Sequence, residues 1–318
     1  MSGALMQSVL RPAGPQASSI HGLWLLMLWT SAVVFVVVVG GVLLALARGT
    51  RRGAGETPTT PDSSLHRGIV ISTVATTVVL IALLTASVWA GRGVASQRAE
   101  AAVSIAVTGH QWWWEFEYED ALPSRRVLTA NELHLPTGRP VVVKVTSRDV
   151  IHSFWVPNLQ GKRDLIPGMT TAIWLQAAQT GRFRGQCAEF CGLQHAHMAF
   201  DVVVEPEGQF EHWLDQQRAP AASPADGLAS RGLEIFTTQR CGRCHTIRGT
   251  DAAGQAAPDL THMASRLSLA AGTLPNSAPH RRAFVSDPQA TKPGTQMPSN
   301  PFTDQDLAAL TAYLDTLQ

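Results

Sequence analysis

Two long stretches in the first third of the chain carry no charged side chain. They cover residues 22–47 and 68–91. With a rise of about 1.5 Å per residue, each is long enough to cross a hydrocarbon layer ~30 Å thick as a helix. The apolar core of a signal peptide is only about 7–15 residues long, which is too short to account for the first stretch. The pattern therefore predicts a hairpin of two transmembrane helices.

The basic residues beside these stretches predict the orientation of the hairpin. Four arginines lie in the connecting segment 48–67, whereas the N-terminal segment 1–21 carries only Arg11. Because arginine and lysine are enriched on the cytoplasmic side of membrane proteins, the connecting segment is predicted to be a cytoplasmic loop. Both termini and the soluble part of the chain are then expected on the outer face of the cell membrane.

Residues 101–205, within a predicted domain of residues 92–218, show the period of β-strands. An apolar residue stands at every second position in Val103-x-Ile105-x-Val107 and in Val141-x-Val143-x-Val145. Glycine and proline separate these short runs. This pattern predicts an all-β domain, either a sandwich or a small barrel. A helical pattern first returns at residues 207–218, and the Ala- and Pro-rich residues 219–227 are predicted to be a linker.

Composition narrows the classes of function. Hydrophobic residues make up 45% of the chain and charged residues 15%, which is typical of membrane segments joined to a soluble part. The net charge of +1 gives no basic surface for a nucleic acid. The four cysteines form two close pairs, Cys187 with Cys191 and Cys241 with Cys244. Such spacing indicates metal or cofactor binding.

The first pair opens a segment rich in metal-binding side chains. Residues 187–198 read Cys-Ala-Glu-Phe-Cys-Gly-Leu-Gln-His-Ala-His-Met, and His152 follows a predicted strand upstream. Sulfur and imidazole donors favour copper, zinc or iron–sulfur, and the methionine favours copper. A structural zinc site or a disulfide between Cys187 and Cys191 remain alternatives. His197 is interpreted as solvated or bonded to the backbone.

This segment resembles the binuclear copper site, CuA, of cytochrome c oxidase subunit II, whose pattern Cys-x-Glu-x-Cys-x-x-x-His-x-x-Met it matches. Residues 149–157 resemble the stretch that supplies the first histidine in that family. The resemblance implies two coppers bridged by two thiolates and held by His152, Cys187, the backbone carbonyl of Glu189, Cys191, His195 and Met198. It also implies a magnesium beside the Glu189 carboxylate, at the interface with oxidase subunit I.

An aromatic run, Trp112-Trp113-Trp114, lies between the two predicted strands. Buried strand aromatics are one interpretation of Trp113 and Trp114. In the family that the chain resembles, the first tryptophan lies between the docked electron donor and the copper, so Trp112 is predicted to be the point of electron entry. Four acidic residues follow, either as a docking face or as a solvated edge: Glu115, Glu117, Glu119 and Asp120.

The second pair belongs to a heme c attachment motif. In Cys241-x-x-Cys244-His245 the two thiols form thioethers with the heme and the histidine becomes an iron ligand. A redox-active cysteine pair is the alternative. The second axial ligand is expected to be a methionine or histidine downstream. Met297 is predicted for this role, with Met263 as its competitor.

Residues 228–318 resemble an all-α class I cytochrome c. The resemblance implies a first helix at 232–239 and a carbonyl of Pro258 that accepts a hydrogen bond from His245. Residues 303–317 predict an amphipathic helix with Thr303 as its N-cap.

The order of these parts, a membrane hairpin, a cupredoxin-like copper domain and a cytochrome c domain, resembles subunit II of caa-type oxidases. The resemblance implies that electrons from an external c-type cytochrome or another donor pass through heme c and copper to subunit I, which reduces oxygen and translocates protons. Subunits I and III and membrane lipid are the implied partners. A copper-containing nitric oxide reductase or an electron shuttle without an oxidase partner are the alternatives.

Overall fold

The computed structural model describes residues 6–49, 62–96, 103–224, 226–239 and 241–318. The chain divides into two units. One is Ser18–Gln97, and the other combines Met1–Ala17 with Arg98–Gln318. Arg51 and Arg52 of the predicted cytoplasmic loop lie outside the described residues.

Two long helices contain the charge-free stretches. Helix α1 is Pro15–Gly49 and helix α2 is Asp62–Ser96, each of 35 residues. Both are long and apolar enough to cross a membrane. Their large apolar side chains, such as Phe35 and Trp89, are exposed in the described structure. Each helix extends beyond its charge-free stretch, because polar residues at its ends continue the same backbone hydrogen bonding.

A β-sandwich of two five-stranded sheets follows. Its strands are β1 Val103–His110, β2 Trp113–Tyr118, β3 Val127–Ala130, β4 Glu132–Pro136, β5 Val141–Ser147, β6 His152–Trp155, β7 Arg163–Leu165, β8 Thr171–Leu175, β9 Gly181–Cys187 and β10 Ala199–Glu205. The first sheet has the order β3-β2-β1-β5-β8 and the second the order β4-β10-β9-β6-β7. The architecture confirms the predicted cupredoxin-like domain.

The predicted alternation of β1 and β5 places every second side chain in the core of the sandwich. Ile105 and Val107 of β1 are fully buried, as are Val143 and Val145 of β5. These two strands pair in parallel, with Ile105 opposite Val143. Their inward-facing residues join an aromatic cluster at the centre of the core, which consists of Trp114, Phe116, Phe154 and Phe200.

The N-terminal residues before α1 belong to the soluble unit. Met6 pairs in parallel with Phe183 of β9 and exchanges backbone hydrogen bonds with the flanking Arg182 and Arg184. Further along, Asn158 donates to the Arg11 carbonyl at 2.8 Å. We call residues 6–17 the N-terminal strap. It fills a length of β9 that β6 leaves unpaired, because β6 pairs only with the last two residues of β9.

The remaining elements form the cytochrome-like domain after one connecting helix. The connecting helix is α3 Glu207–Arg218. The domain itself contains α4 Gly227–Thr238, β11 Ser268–Leu269, β12 Leu274–Pro275, α5 Ala278–Ser286, α6 Pro288–Thr291 and α7 Asp304–Asp315. The predicted start of α4 at residue 232 is wrong by five residues, because the Asp226 carboxylate accepts from Ala229 N at 2.7 Å and caps the helix earlier. Thr303 caps α7 as predicted, accepting from Asp306 N at 3.1 Å.

Helices α4 and α7 cross at Gly232. A Cβ atom at this position would lie 2.1 Å from the Ala309 carbonyl oxygen and 2.6 Å from Tyr313 Cβ. The glycine thus permits a backbone approach that any side chain would prevent. The crossing closes the apolar core of this domain, which includes Phe236, Tyr313 and Leu314.

Gly232→Ala is expected to lower the free energy of unfolding of the cytochrome domain by about 1–3 kcal/mol or more, because the new methyl group forces the helix backbones apart. Urea titration of the full chain, followed by heme absorbance, measures the effect. Gly227→Ala is the control, since no atom lies within 4 Å of a Cβ there. Equal midpoints for the two variants would contradict the close crossing.

Candidate copper and heme sites

Three buried side chains bring their donor atoms within 4.8 Å of one another: His152, Cys187 and Cys191. His152 begins β6 and Cys187 ends β9, and these strands are neighbours in the second sheet. Cys187 Sγ lies 3.7 Å from Cys191 Sγ and 3.9 Å from His152 Nδ1. The sheet therefore fixes two of the donors, and the segment that follows β9 supplies the third.

Further donors complete the cluster. Cys191 Sγ lies 3.6 Å from His195 Nδ1 and 3.8 Å from Met198 Sδ. Cys187 Sγ lies 3.2 Å from the Glu189 carbonyl oxygen. Each sulfur atom thus has its own imidazole nitrogen and its own weaker donor. Tetrahedral metal bonds of about 2.0–2.3 Å place neighbouring donors roughly 3.3–3.8 Å apart, so these spacings suit metal coordination.

Backbone hydrogen bonds hold the segment 187–198 in this shape. Cys187 N donates to the Met198 carbonyl at 2.9 Å and closes the loop, while His195 N donates to Gly192 at 3.1 Å. Gly192 has φ +109°, which only glycine adopts readily. His197 is exposed and bonds Gln194 at 2.9 Å, in agreement with its interpretation as a non-ligand.

The contact between the two thiols shifts their pKa values in opposite directions. It lowers the pKa of Cys187 to about 3 and, together with burial, raises the pKa of Cys191. One sulfur atom is then a thiolate, which is the form that binds metal. Loss of the second proton requires added positive charge, which a metal bound to both sulfur atoms supplies.

Asp149 orients the first histidine, a role that sequence reasoning missed. Its carboxylate lies 2.8 Å from His152 Nε2, which leaves Nδ1 facing the sulfur atoms. Burial opposes protonation, but the hydrogen bonds to Cys187 and Asp149 raise the pKa of His152 overall. Carboxylates commonly orient ligand histidines in this way. The signal was present as an acid three residues before the histidine.

Trp112 connects directly to the metal-binding loop. Its indole Nε1 donates to the Cys191 carbonyl at 2.9 Å, and Gln111 Nε2 donates to the same oxygen at 2.8 Å. Trp114 is fully buried in the aromatic core, as one interpretation of the run expected. Trp113 stacks on His110 with ring centroids 4.1 Å apart. Of the three, Trp112 has its indole bonded to a cysteine of the donor cluster.

The acidic residues that follow are largely paired within the domain. The ion pairs are Glu117–Arg126, Glu119–Lys144 and Asp120–Arg125. Burial raises the pKa of Glu115, and the neighbouring Glu117 raises it further. Internal pairing favours the interpretation as a solvated strand edge, because the negative charges are already balanced.

The heme attachment motif follows α4. Cys241–Arg243 form a short 3-10 turn, and Cys244 is exposed. His245 Nδ1 lies 2.8 Å from the Pro258 carbonyl oxygen, as predicted. Burial lowers the pKa of His245 and so favours the neutral imidazole. With Nδ1 bonded to a carbonyl, Nε2 remains available as an iron ligand, so the motif fits an attached heme.

The two candidate methionines differ in their surroundings. Met263 is buried in the apolar core with Ile247 and Leu310. Met297 lies in the loop between α6 and α7 and is half-buried. Gln289 Nε2 donates to its carbonyl at 2.9 Å. These surroundings favour Met263 as a core side chain and leave Met297 as the better candidate for an iron ligand.

The Glu189 carboxylate lies 3.1 Å from Lys162 Nζ, and both side chains are nearly half exposed. Within the described residues, the only set of three clustered His, Cys, Asp or Glu donors is the one at His152. A magnesium ion at Glu189 would therefore need ligands from another subunit.

Two family models match the soluble parts of the chain. Residues 103–206 match the periplasmic domain of cytochrome c oxidase subunit II, and residues 229–318 match cytochrome c. The donor cluster lies in the first match and the heme motif in the second. The matched ranges thus coincide with the β-sandwich and the cytochrome-like domain.

Cytochrome c oxidase subunit 2 of Alkalihalophilus pseudofirmus is 33% identical over 98% of this chain and 91% of that protein. Cytochrome c oxidase subunit 2 of Bacillus sp. strain PS3 is 34% identical over 68% of this chain and 62% of that protein. The solved periplasmic domain of cytochrome oxidase subunit II from Bradyrhizobium japonicum is 32% identical and covers 38% of this chain and 96% of that structure, with a TM-score of 0.36.

These findings define a membrane-anchored electron-transfer protein with a copper domain and a cytochrome c domain outside the membrane. The chain belongs to the cytochrome c oxidase subunit II family, in the form that carries a fused cytochrome c. It is the electron-accepting subunit of an oxidase complex.

Proposed function

We propose that the donor cluster holds two copper ions, as a CuA centre, with Cys187 and Cys191 shared between them. The supporting observation is the pairing of donors: one imidazole and one weak donor lie at each sulfur atom, at 3.2–3.9 Å. His152 and Glu189 would serve one ion, and His195 and Met198 the other. A single ion would leave part of this set unused.

Copper and heme c supply one-electron transfer, so electrons from an external c-type cytochrome or another donor would pass from heme c to copper and on to subunit I for oxygen reduction coupled to proton translocation. Trp112 holds its indole against the Cys191 carbonyl and so occupies the entry side of the copper loop. Buried Trp114 and Phe200 exclude water behind the loop. A rigid, dry site limits rearrangement when the charge of the site changes.

On the cytochrome side, Cys241 and Cys244 would attach the heme, while His245 and Met297 would hold its iron. The Pro258 carbonyl sets the orientation of the His245 ring. Histidine–methionine ligation raises the reduction potential of a heme, which suits a donor to copper.

We assign the surface around Glu189 to subunit I, with a magnesium at the junction. Phe190 beside it is 77% exposed, and large exposed apolar side chains are typical of interaction surfaces. The Glu189 carboxylate is accessible there and pairs with Lys162. Subunit III is a further expected partner, by resemblance to the family.

The N-terminal strap supports the proposed membrane orientation. Residues 6–17 hydrogen-bond to the copper domain, so the start of α1 and the copper domain must lie on the same side of the membrane. Two crossings between them satisfy this condition. The arginines of the connecting segment then lie in the cytoplasm, as the positive-inside rule expects.

Metal analysis of the full chain purified without subunit I tests the proposal. We expect two coppers for each covalently attached heme iron, because the donor set serves two ions. One copper per chain, or zinc in its place, would contradict a binuclear centre.

The named relatives are oxidase subunits, which favours oxygen over nitric oxide as the final acceptor.

A further inference from the structure

Lys292 is a buried lysine of the cytochrome domain that reaches the copper domain. Its side chain is 3% exposed, although Lys144 and Lys162, the chain's other lysines, are far more exposed. Its Nζ donates to the Trp112 carbonyl at 2.7 Å, to His197 at 3.1 Å and to Ala270 at 3.2 Å. An ammonium group has three donors, and all three are used.

Two of these acceptors, the carbonyls of Trp112 and His197, belong to the copper domain and lie beside the proposed copper site. Trp112 carries the indole that bonds the Cys191 carbonyl, and His197 lies between the proposed ligands His195 and Met198. The third acceptor, Ala270, belongs to the cytochrome domain. One side chain therefore connects the electron-entry residue, the copper loop and the heme domain.

The acceptors of Lys292 are neutral carbonyls. Burial consequently lowers the pKa of Lys292 to about 7, while the charge of Cys191 opposes the shift. A buried ammonium group is costly unless its hydrogen bonds are satisfied. The three carbonyls come together only when the two domains are in contact. Their hydrogen bonds to Lys292 Nζ therefore favour one relative arrangement of the two domains.

The residues that follow Lys292 lie on the Trp112 ring. A Cβ atom at Gly294 would lie 3.7–3.8 Å from two carbons of the indole and 3.3 Å from Leu193 Cδ2. Gln194 Nε2 donates to the Pro293 carbonyl at 2.8 Å. This loop continues to Met297, so the candidate heme ligand is three residues beyond the contact with Trp112.

Other hydrogen bonds show that the contact extends along the copper domain. Leu267 N donates to Glu132 Oε2 at 2.6 Å, and Arg184 donates to the Gly272 carbonyl at 3.1 Å. Ala199 N donates to Ala271 at 3.0 Å. The segment after α3 is also held, because Ala221 N donates to Arg248 at 2.8 Å. The predicted linker therefore does not act as a free tether in this arrangement.

We propose that Lys292 is a positioning residue that fixes the cytochrome domain on the copper domain, with the Met297 loop against Trp112. This inference rests on the proposed electron route. In the docked arrangement Trp112 is only 8% exposed. A second protein cannot reach the indole without displacing the cytochrome domain, so external donors must bind the cytochrome domain instead.

Lys292→Met tests the inference in the full chain loaded with copper and heme. The variant keeps the apolar length but removes the ammonium donor from the Trp112 carbonyl, and it leaves the His197 and Ala270 carbonyls with their bonds from Thr273 Oγ1. After rapid photoreduction of the heme, we expect electron transfer to copper to slow by about tenfold or more, a change of the size that one lost charge-assisted hydrogen bond produces. Oxidative labelling of Trp112, read by mass spectrometry, should rise several-fold relative to buried Trp114.

Lys144→Met is the matched control, because Lys144 makes a surface ion pair with Glu119 on the opposite side of β5 from the core. Its electron-transfer rate and Trp112 labelling should equal those of the unmodified chain. The copper content of the unmodified chain separates the two proposals: a chain without copper would overturn the copper assignment, whereas the Trp112 labelling tests the docking.

Unchanged transfer rate and unchanged Trp112 labelling in Lys292→Met would overturn the positioning role. If that variant does not retain heme, Arg184→Gln tests the docked arrangement from the copper side, because the shorter side chain cannot reach the Gly272 carbonyl. Increased labelling of Trp112 then supports the docked arrangement, and unchanged labelling contradicts it.

Discussion

Cys191→Ser is expected to abolish the proposed binuclear copper centre in the full chain. Cys191 Sγ lies within 3.8 Å of three other donors, namely the atoms of Cys187, His195 and Met198. A serine hydroxyl stays protonated and is a hard ligand, so it replaces a bridging thiolate poorly. Copper content should fall from two ions to fewer than one. Electron transfer from heme should fall by more than the roughly 10–100-fold that altered outer-shell contacts cause.

His197→Ala is the matched control for this prediction. Its imidazole belongs to the same segment but is exposed and bonds Gln194 rather than the sulfur atoms. Its copper content should remain at two ions. Cys187→Ser should behave like Cys191→Ser, since the proposal shares both sulfur atoms between the two ions. Full copper content in either cysteine variant would remove the bridging role.

Trp112→Phe is expected to slow electron transfer from heme to copper while both cofactors stay bound. Phenylalanine retains an aromatic ring but loses the Nε1 donor, so the Cys191 carbonyl keeps only its bond from Gln111. Without that anchor the ring can move relative to the copper loop. A displacement of about 1 Å at a reaction centre costs up to roughly 100-fold in rate, so we expect a decrease of about ten- to 100-fold.

Flash photoreduction of the heme, with copper absorbance as the readout, measures this change. Trp113→Phe provides the comparison, because Trp113 stacks on His110 and its indole does not bond the donor cluster. That variant should transfer electrons at the unmodified rate. If the two tryptophan variants were equally slow, general loosening of the strand would explain the effect better than a specific entry role.

Local patterns were sufficient for those features that depend on neighbours in the sequence. Alternation in Val141–Val145 predicted buried positions of β5, and the absence of charge predicted α1 and α2. The spacing from Cys187 to Met198 placed four of the donors in one loop, because a segment of twelve residues closed by one backbone bond cannot separate them far. Thr303 likewise predicted the start of α7, because an N-cap side chain bonds a backbone N–H only three residues further on.

Contacts between distant segments were not predictable from the sequence. Lys292 lies 180 residues from Trp112, and nothing in its local sequence distinguishes it from a surface lysine. The role of Asp149 depends on His152 facing inward and on Gln111 donating its backbone N–H at 2.7 Å. The start of α4 differs from the position that the resemblance implies, because Asp226, at the end of the predicted linker, caps the helix. The roles of Lys292 and Asp149 depend on contacts with segments that are distant in the sequence.

The N-terminal strap has a consequence for work with recombinant fragments. A water-soluble fragment that begins after α2 would lack Met6, so the backbone of Arg182 and Arg184 would lose its partners on one side. Asn158 would also lose its acceptor at Arg11. An open strand edge of this kind promotes self-association. Truncated material should therefore be more prone to aggregate than the intact chain, and a synthetic peptide covering residues 6–17 should restore its solubility.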